Sequence, residues 1–190
     1  MKGAGRWAVV SASLALVVPV IGWVVAANLQ PVGYDPFRQT ISALAAHGAT
    51  DRWVMTLGLL LLGLAHLITA TLLTAIGGPG RGCLAFGGAA TVAVAALPQP
   101  NPWHLVAAGF AFAAFTIWPA LALVPDLRGR VAATSVLGGL LLWFGLQLGG
   151  GALLGLSERI LVAAEALWPL TVAVMLSRRS VVTKRSRVSR

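Results

Sequence analysis

Apolar stretches, most of them close to 20 residues long, follow one another along nearly the whole chain. Each ends in a short polar or Gly/Pro-rich break. A helix of about 20 apolar residues crosses the hydrocarbon core of a bilayer. No water is present there to satisfy the backbone, so a spanning segment of this kind must be helical. Composition agrees with this reading. Of the 190 residues, 58% are hydrophobic and 10% charged, against about 25% charged in a soluble domain. The expected fold class is all-α: an integral membrane bundle of six helices forming one domain, residues 1–176, with a basic tail at 177–190.

The spans read as 7–27, 53–76, 83–97, 103–124, 131–154 and 160–175. The first run is longer than the ~7–15-residue core of a signal peptide, so it is taken as a retained helix. Gly77-Gly78-Pro79-Gly80-Arg81-Gly82 reads as a tight turn that no helix crosses. Asn101 before Pro102 reads as an N-cap followed by proline at the first helical position. Turns are also expected at 125–130 and at 155–159. The formal charge of +9 does not point to nucleic acid, because six basic residues lie in the tail: Arg178, Arg179, Lys184, Arg185, Arg187 and Arg190. A basic tail after an apolar run is a cytoplasmic anchor for anionic lipid. With the N-terminus inside, Lys2, Arg6, Arg81, Arg128, Arg130 and the tail are cytoplasmic, and Arg38, Arg52 and Arg159 are outside. That asymmetry places both termini in the cytoplasm of a cell-membrane protein.

The polar segment 28–52 then becomes a long first loop at the outer face. Tyr34-Asp35-Pro36-Phe37 reads as a turn, Thr40 to Ala46 as a short helix, and His47-Gly48 as its end. Phe37, Ile41 and Leu44 recur at helical spacing and would press that helix onto the bundle as a lid or an interfacial foot.

Glu165 is the most informative residue. By this reading it lies about 8 Å below the outer boundary. A carboxylate inside the bilayer costs about 2.5–3.5 kcal/mol, so it should face the bundle interior and either carry a proton or have a partner. Gln147, His104 and Arg159 are the partners considered. Glu158 lies two turns away on the same face, and Trp168 follows Glu165 by three residues. His104 starts span four, where an acid–base group and an interfacial histidine beside Trp103 are both open readings. His66 lies about 20 Å along span two, where a neutral histidine bonded to a threonine or a carbonyl is expected. The expected polar lining of an outward-opening pocket is Asp35, Gln39, Thr40, Ser42, His104, Gln147, Glu158, Arg159 and Glu165, with Trp143 and Trp168 as aromatic walls. His47, His66 and His104 are not spaced as metal ligands, so no metal or cofactor is expected. The lone Cys83 excludes an internal disulfide and a cysteine cluster. Gly145-x-x-x-Gly149 allows close helix approach, either within the bundle or in a homodimer.

Tyr34-Asp35-Pro36, the run Thr40-Ile41-Ser42-Ala43-Leu44, His104 at the start of span four, and Gly155 to Arg159 before span six together resemble the domain of unknown function 998 family of prokaryotic membrane proteins. The resemblance covers most of the chain. It implies six spans and a polar cluster at the outer face, but no activity. Membrane hydrolases of the ceramidase type need histidines in the last span, and span six has none.

Three function classes remain open at this level. One is an intramembrane acid/base enzyme acting on a lipid or isoprenoid, its sharpest form a protonation-initiated terpenoid cyclisation or isomerisation. In that case Glu165 donates the proton and His104 or Glu158 recovers one. The second is a small-molecule or lipid transporter or binding protein. The third is an accessory membrane protein whose polar groups only fix the bundle. Membrane lipid and an apolar or isoprenoid small molecule are the expected partners.

Overall fold

The computed structural model describes residues 2–124 and 127–188, with side chains described for 5–124 and 128–179. Regular structure among the described residues is helical throughout: α1 (Lys2–Asn28), α2 (Trp53–Leu72), α3 (Gly77–Ala96), α4 (Pro102–Leu121), α5 (Leu127–Gln147) and α6 (Leu154–Val188), with short 3₁₀ turns η1 (Ser42–Ala45) and η2 (Thr74–Ile76). Five of the helices are long and apolar enough to cross a membrane: Gly5–Asn28, Trp53–Leu72, Pro102–Leu121, Arg128–Gln147 and Leu154–Arg179. α3 has the length, but its glycines and Arg81 dilute its apolar content.

Each helix packs on the next in sequence, and α6 closes the ring against α1. Gly5 of α1 lies beside Ser177 of α6, so both chain ends share one end of the bundle. The opposite end, called here the loop end, carries η1.

Local chemistry explains where several helices begin. Asn101 Oδ1 accepts from the Trp103 amide at 2.9 Å, and Pro102 occupies the first position of α4, as expected. The glycine-rich stretch does not turn the chain. Gly77 to Gly82 form the first turns of α3, and the chain reverses earlier, through Leu73 and η2. Pro79 sits within the first helical turn, where no amide donor is needed. Gly80 is required by packing: a Cβ there would lie 2.9 Å from Ala122 Cα.

The far ends of α4, α5 and the start of α6 also differ from the sequence reading. α4 ends at Leu121, where Arg130 donates to the Pro119 and Ala120 carbonyls left open by the helix end. α5 begins by Leu127 and ends at Gln147, not Leu154. The turn expected at 125–130 is therefore helical from Leu127 onward, and Pro125 and Asp126 lie outside the described residues. α6 starts at Leu154, so Gly155 to Arg159 is helix rather than turn. It also continues through most of the basic tail to Val188; Arg190 lies outside the described residues.

The glycines that bring helices together are not those of α5. A Cβ on Gly63 would lie 2.6 Å from the Gly88 carbonyl, and one on Gly88 would lie 2.8 Å from the Gly63 carbonyl, so α2 and α3 cross at backbone contact. Gly138, Gly139, Gly145 and Gly149 face open space. Gly149 is not in α5 at all, which removes the expected packing role of Gly145-x-x-x-Gly149 within the bundle. α5 is peripheral, with 11% of its apolar window buried against 50% for α2.

Candidate functional site

The long loop is held onto the bundle by two adjacent residues of α6. Arg159 Nη1 donates to the carbonyls of Pro36, Gln39 and Gly155, each at 2.8 Å, and Nη2 donates to the Tyr34 hydroxyl at 2.6 Å. Gly155 lets this happen. A Cβ there would fall 2.2 Å from the Gln39 carbonyl oxygen and 2.5 Å from that of Pro36. The Leu156 amide donates to the Phe37 carbonyl at 3.1 Å. The turn expected at Tyr34–Phe37 forms one residue later: the Arg38 and Gln39 amides donate to the Asp35 carbonyl at 3.2 and 2.8 Å, with Asp35 Oδ1 accepting from the Phe37 amide at 2.9 Å and Oδ2 lying 3.5 Å from Arg38 Nε. Burial pushes the Tyr34 phenol above its ordinary value, opposed by the Arg159 guanidinium.

Glu158 faces the other way, into the protein. Its carboxylate accepts from the Ile41 amide and, at 3.4 Å, from Ser42 Oγ. This takes up the backbone donor at the start of η1. Thr40 Oγ1 accepts from the Ala43 amide, and the structure narrows the expected helix from 40–46 to Ser42–Ala45. Ile41 and Leu44 are buried beneath it as expected, but Phe37 is exposed.

Below η1 lies a cavity of about 40 Å³, room for two or three water molecules. Glu158, Val162, Glu165 and Ala166 line it from one face of α6. Ser42 of η1 and the preceding Ile41 roof it, and α2 contributes Met55, Leu59, Leu62 and His66. Phe112 and Phe115 of α4 form the aromatic wall. Glu165 is 4% exposed, and its carboxyl accepts from Thr116 Oγ1 at 3.1 Å. His66 is 1% exposed. Its Nδ1 lies 3.0 Å from the Leu62 carbonyl, which can only accept, so Nδ1 carries the hydrogen and Nε2 is left as a bare acceptor. Nε2 is buried and makes no hydrogen bond, and the ring packs on Phe115 with centroids 4.4 Å apart. Toward the chain ends, the helices close around a packed cluster that includes Leu73, Ile76, Leu84, Trp118 and Val172.

The expected site residues therefore separate into groups. Glu158, Glu165 and Ser42 meet at the cavity. Arg159 holds the loop, and Gln39 meets it only through its backbone carbonyl. His104 is buried in the first turn of α4, its Nδ1 donating across the α3–α4 connection to the Leu97 carbonyl at 2.7 Å. Gln147 caps the α5–α6 connection, accepting from the Leu153 amide at 3.2 Å. Trp168 packs against the cluster at the chain-end half, its buried indole N–H without a hydrogen bond. Trp143, half-buried on α5, and Asp35 and Thr40 are not among the cavity residues. His66 makes the carbonyl bond expected of it but also faces the cavity. Thr116, Phe112 and Phe115 are additions that the structure supplies.

Helices of this length and composition, packed as a ring, define a multi-pass helical membrane protein. The chain belongs to the family described as Protein of unknown function (DUF998), whose model matches residues 9–175. No curated protein and no solved structure matches it.

Proposed function

We propose that the cavity beneath η1 is an intramembrane acid–base site for a lipid or isoprenoid molecule, with Glu165 as the proton donor. The observation that carries this reading is the pairing of two buried carboxyls, Glu158 and Glu165, on one face of α6 and on one small cavity. The partner of Glu165 is the neutral Thr116 hydroxyl, and a carboxyl at that depth is held most cheaply as the neutral acid. Glu158, between the loop and the cavity, would take a proton back. The phenylalanine walls, rather than Trp143 and Trp168, would shield developing positive charge. With the termini cytoplasmic, as the Lys/Arg distribution argues, the roof of the site faces outward.

Ala111 and Phe115 of the cavity wall belong to the packed cluster around Trp118 on the chain-end side. A transport path needs a passage to the other face, and this packing favours binding and chemistry over translocation. The space admits a small head group but not an isoprenoid chain, so the remainder of a substrate must lie along a helix seam.

Infrared difference spectroscopy of the full chain in nanodiscs, wild type against Glu165→Gln, tests the proposal. The expected result is a protonated carboxyl band at neutral pH that disappears in the variant and moves when prenyl lipids are added. A carboxylate that is already ionised and indifferent to lipid reduces Glu165 to a structural group.

A further inference from the structure

We infer that the site selects a neutral apolar alcohol, whose hydroxyl lies between the Glu165 carboxyl and Nε2 of His66. This rests on the acid reading of Glu165 and adds the class of ligand. An alcohol hydroxyl has one donor and two acceptor positions. The cavity supplies the complement: a carboxylic acid that donates, and an imidazole nitrogen that only accepts.

His66 points to the ligand independently of Glu165. Its tautomer is fixed by the Leu62 carbonyl, and its ring is held against Phe115. Its Nε2 is buried without a partner while the residue lines the cavity. A buried polar group left unpaired destabilises the protein, and a ligand hydroxyl removes that penalty.

The lining also excludes a class. It contains two carboxyls and no Lys or Arg. A diphosphate or phosphate head group would enter a low-dielectric space with no cation to meet it, beside like charge. An alcohol carries no charge to desolvate. Its apolar body has a route between α4 and α6, which touch each other only sparsely. There Phe144 of the loosely packed α5 covers Phe112, with ring centroids 5.2 Å apart.

The test is a titration of the full chain, ¹⁵N-labelled at histidine, in nanodiscs. Farnesol is the probe, with farnesyl diphosphate and farnesylamine as comparators. The expected result is that farnesol moves the His66 Nε2 resonance and binds tighter than either comparator. His66→Phe should then weaken farnesol binding tenfold or more. The resonance is read on the wild-type protein, so the inference stays testable if the variant fails to fold. An unmoved Nε2 resonance at saturating farnesol overturns it, as does tighter binding of the diphosphate or the amine. If farnesol binds through His66 while the infrared band shows an ionised Glu165, the alcohol site stands and the acid chemistry fails. If the acid band responds to lipids but farnesol leaves His66 untouched, the acid chemistry stands and the alcohol assignment fails.

Discussion

At the scale of single residues, the Glu165 carboxyl has a hydroxyl, Thr116 Oγ1, as its hydrogen-bond partner. Glu165→Gln keeps an acceptor for Thr116 at nearly the same volume. Thermal unfolding in detergent should therefore change by no more than about 1 kcal/mol, while the lipid response of the carboxyl band is lost. Thr116→Val removes the donor and should cost about 1 kcal/mol, read by the same unfolding. Tyr34 gives a separate prediction. It is the single tyrosine of the chain, so ultraviolet titration of the tyrosinate band reports it alone. Burial raises its folded pKa above the unfolded value of about 10. A raised folded pKa means that the folded loop binds the proton more tightly, so this contribution is complete below the unfolded pKa and is lost as pH rises through the folded one. The tyrosinate band should appear at higher pH in the folded protein than in denatured protein, and the loop should loosen as it does. Coincident titrations in the two states would contradict this.

At the scale of elements, Arg159 and Gly155 act together as a latch for the loop. Arg159→Ala removes the donors to Pro36, Gln39 and Tyr34. Hydrogen exchange by mass spectrometry should then show faster exchange across residues 29–52, with the helices of the ring unchanged. Arg159→Lys should not restore protection, because one ammonium does not reproduce the spread of a guanidinium. The glycines give a matched pair. Gly63→Ala drives a methyl into the Gly88 backbone and should cost about 1–3 kcal/mol. Gly145→Ala meets open space and should stabilise α5 by about 0.5–1 kcal/mol. Thermal unfolding of both in one detergent decides between them.

How much of the site was legible depended on where helices begin. Counting from residue 160 placed Glu165 about 8 Å deep, near His104 and Gln147. Counting from Leu154 places it eleven residues in, about 16 Å along α6. His66 is thirteen residues into α2, about 20 Å, and Thr116 fourteen into α4, about 21 Å. These three share a level, and a six-residue error in one boundary hid it. The error came from reading Gly155 as turn punctuation, when its missing side chain makes room for loop carbonyls. The same confusion moved the start of α3, where Gly80 serves a contact with Ala122. A glycine needed for close approach and a glycine needed for a turn look alike in sequence.

At the scale of the whole molecule, orientation is the remaining property that the chain's charges predict. Val32 is fully exposed on the long loop. With Cys83→Ser as background, Val32→Cys should react with a membrane-impermeant maleimide added to intact cells. Labelling only after lysis would reverse the orientation and put the cavity roof on the cytoplasmic side.

Environment and class of structure follow from the order of residues alone. Apolar runs near the thickness of a bilayer leave the backbone only helical solutions, and a lone carboxyl within such a run must turn inward. Glu165 could therefore be singled out before any coordinates. Its company could not, because helices up to about half the chain apart meet by rotation and depth, and neither is written in composition. Packing set both: backbone contact at Gly63–Gly88 fixes how α2 lies on α3, and the Arg159 latch fixes the roof. Those contacts put His66 and Glu165 on one cavity, with Thr116 bonded to the Glu165 carboxyl, and left His104 and Gln147 to cap connections.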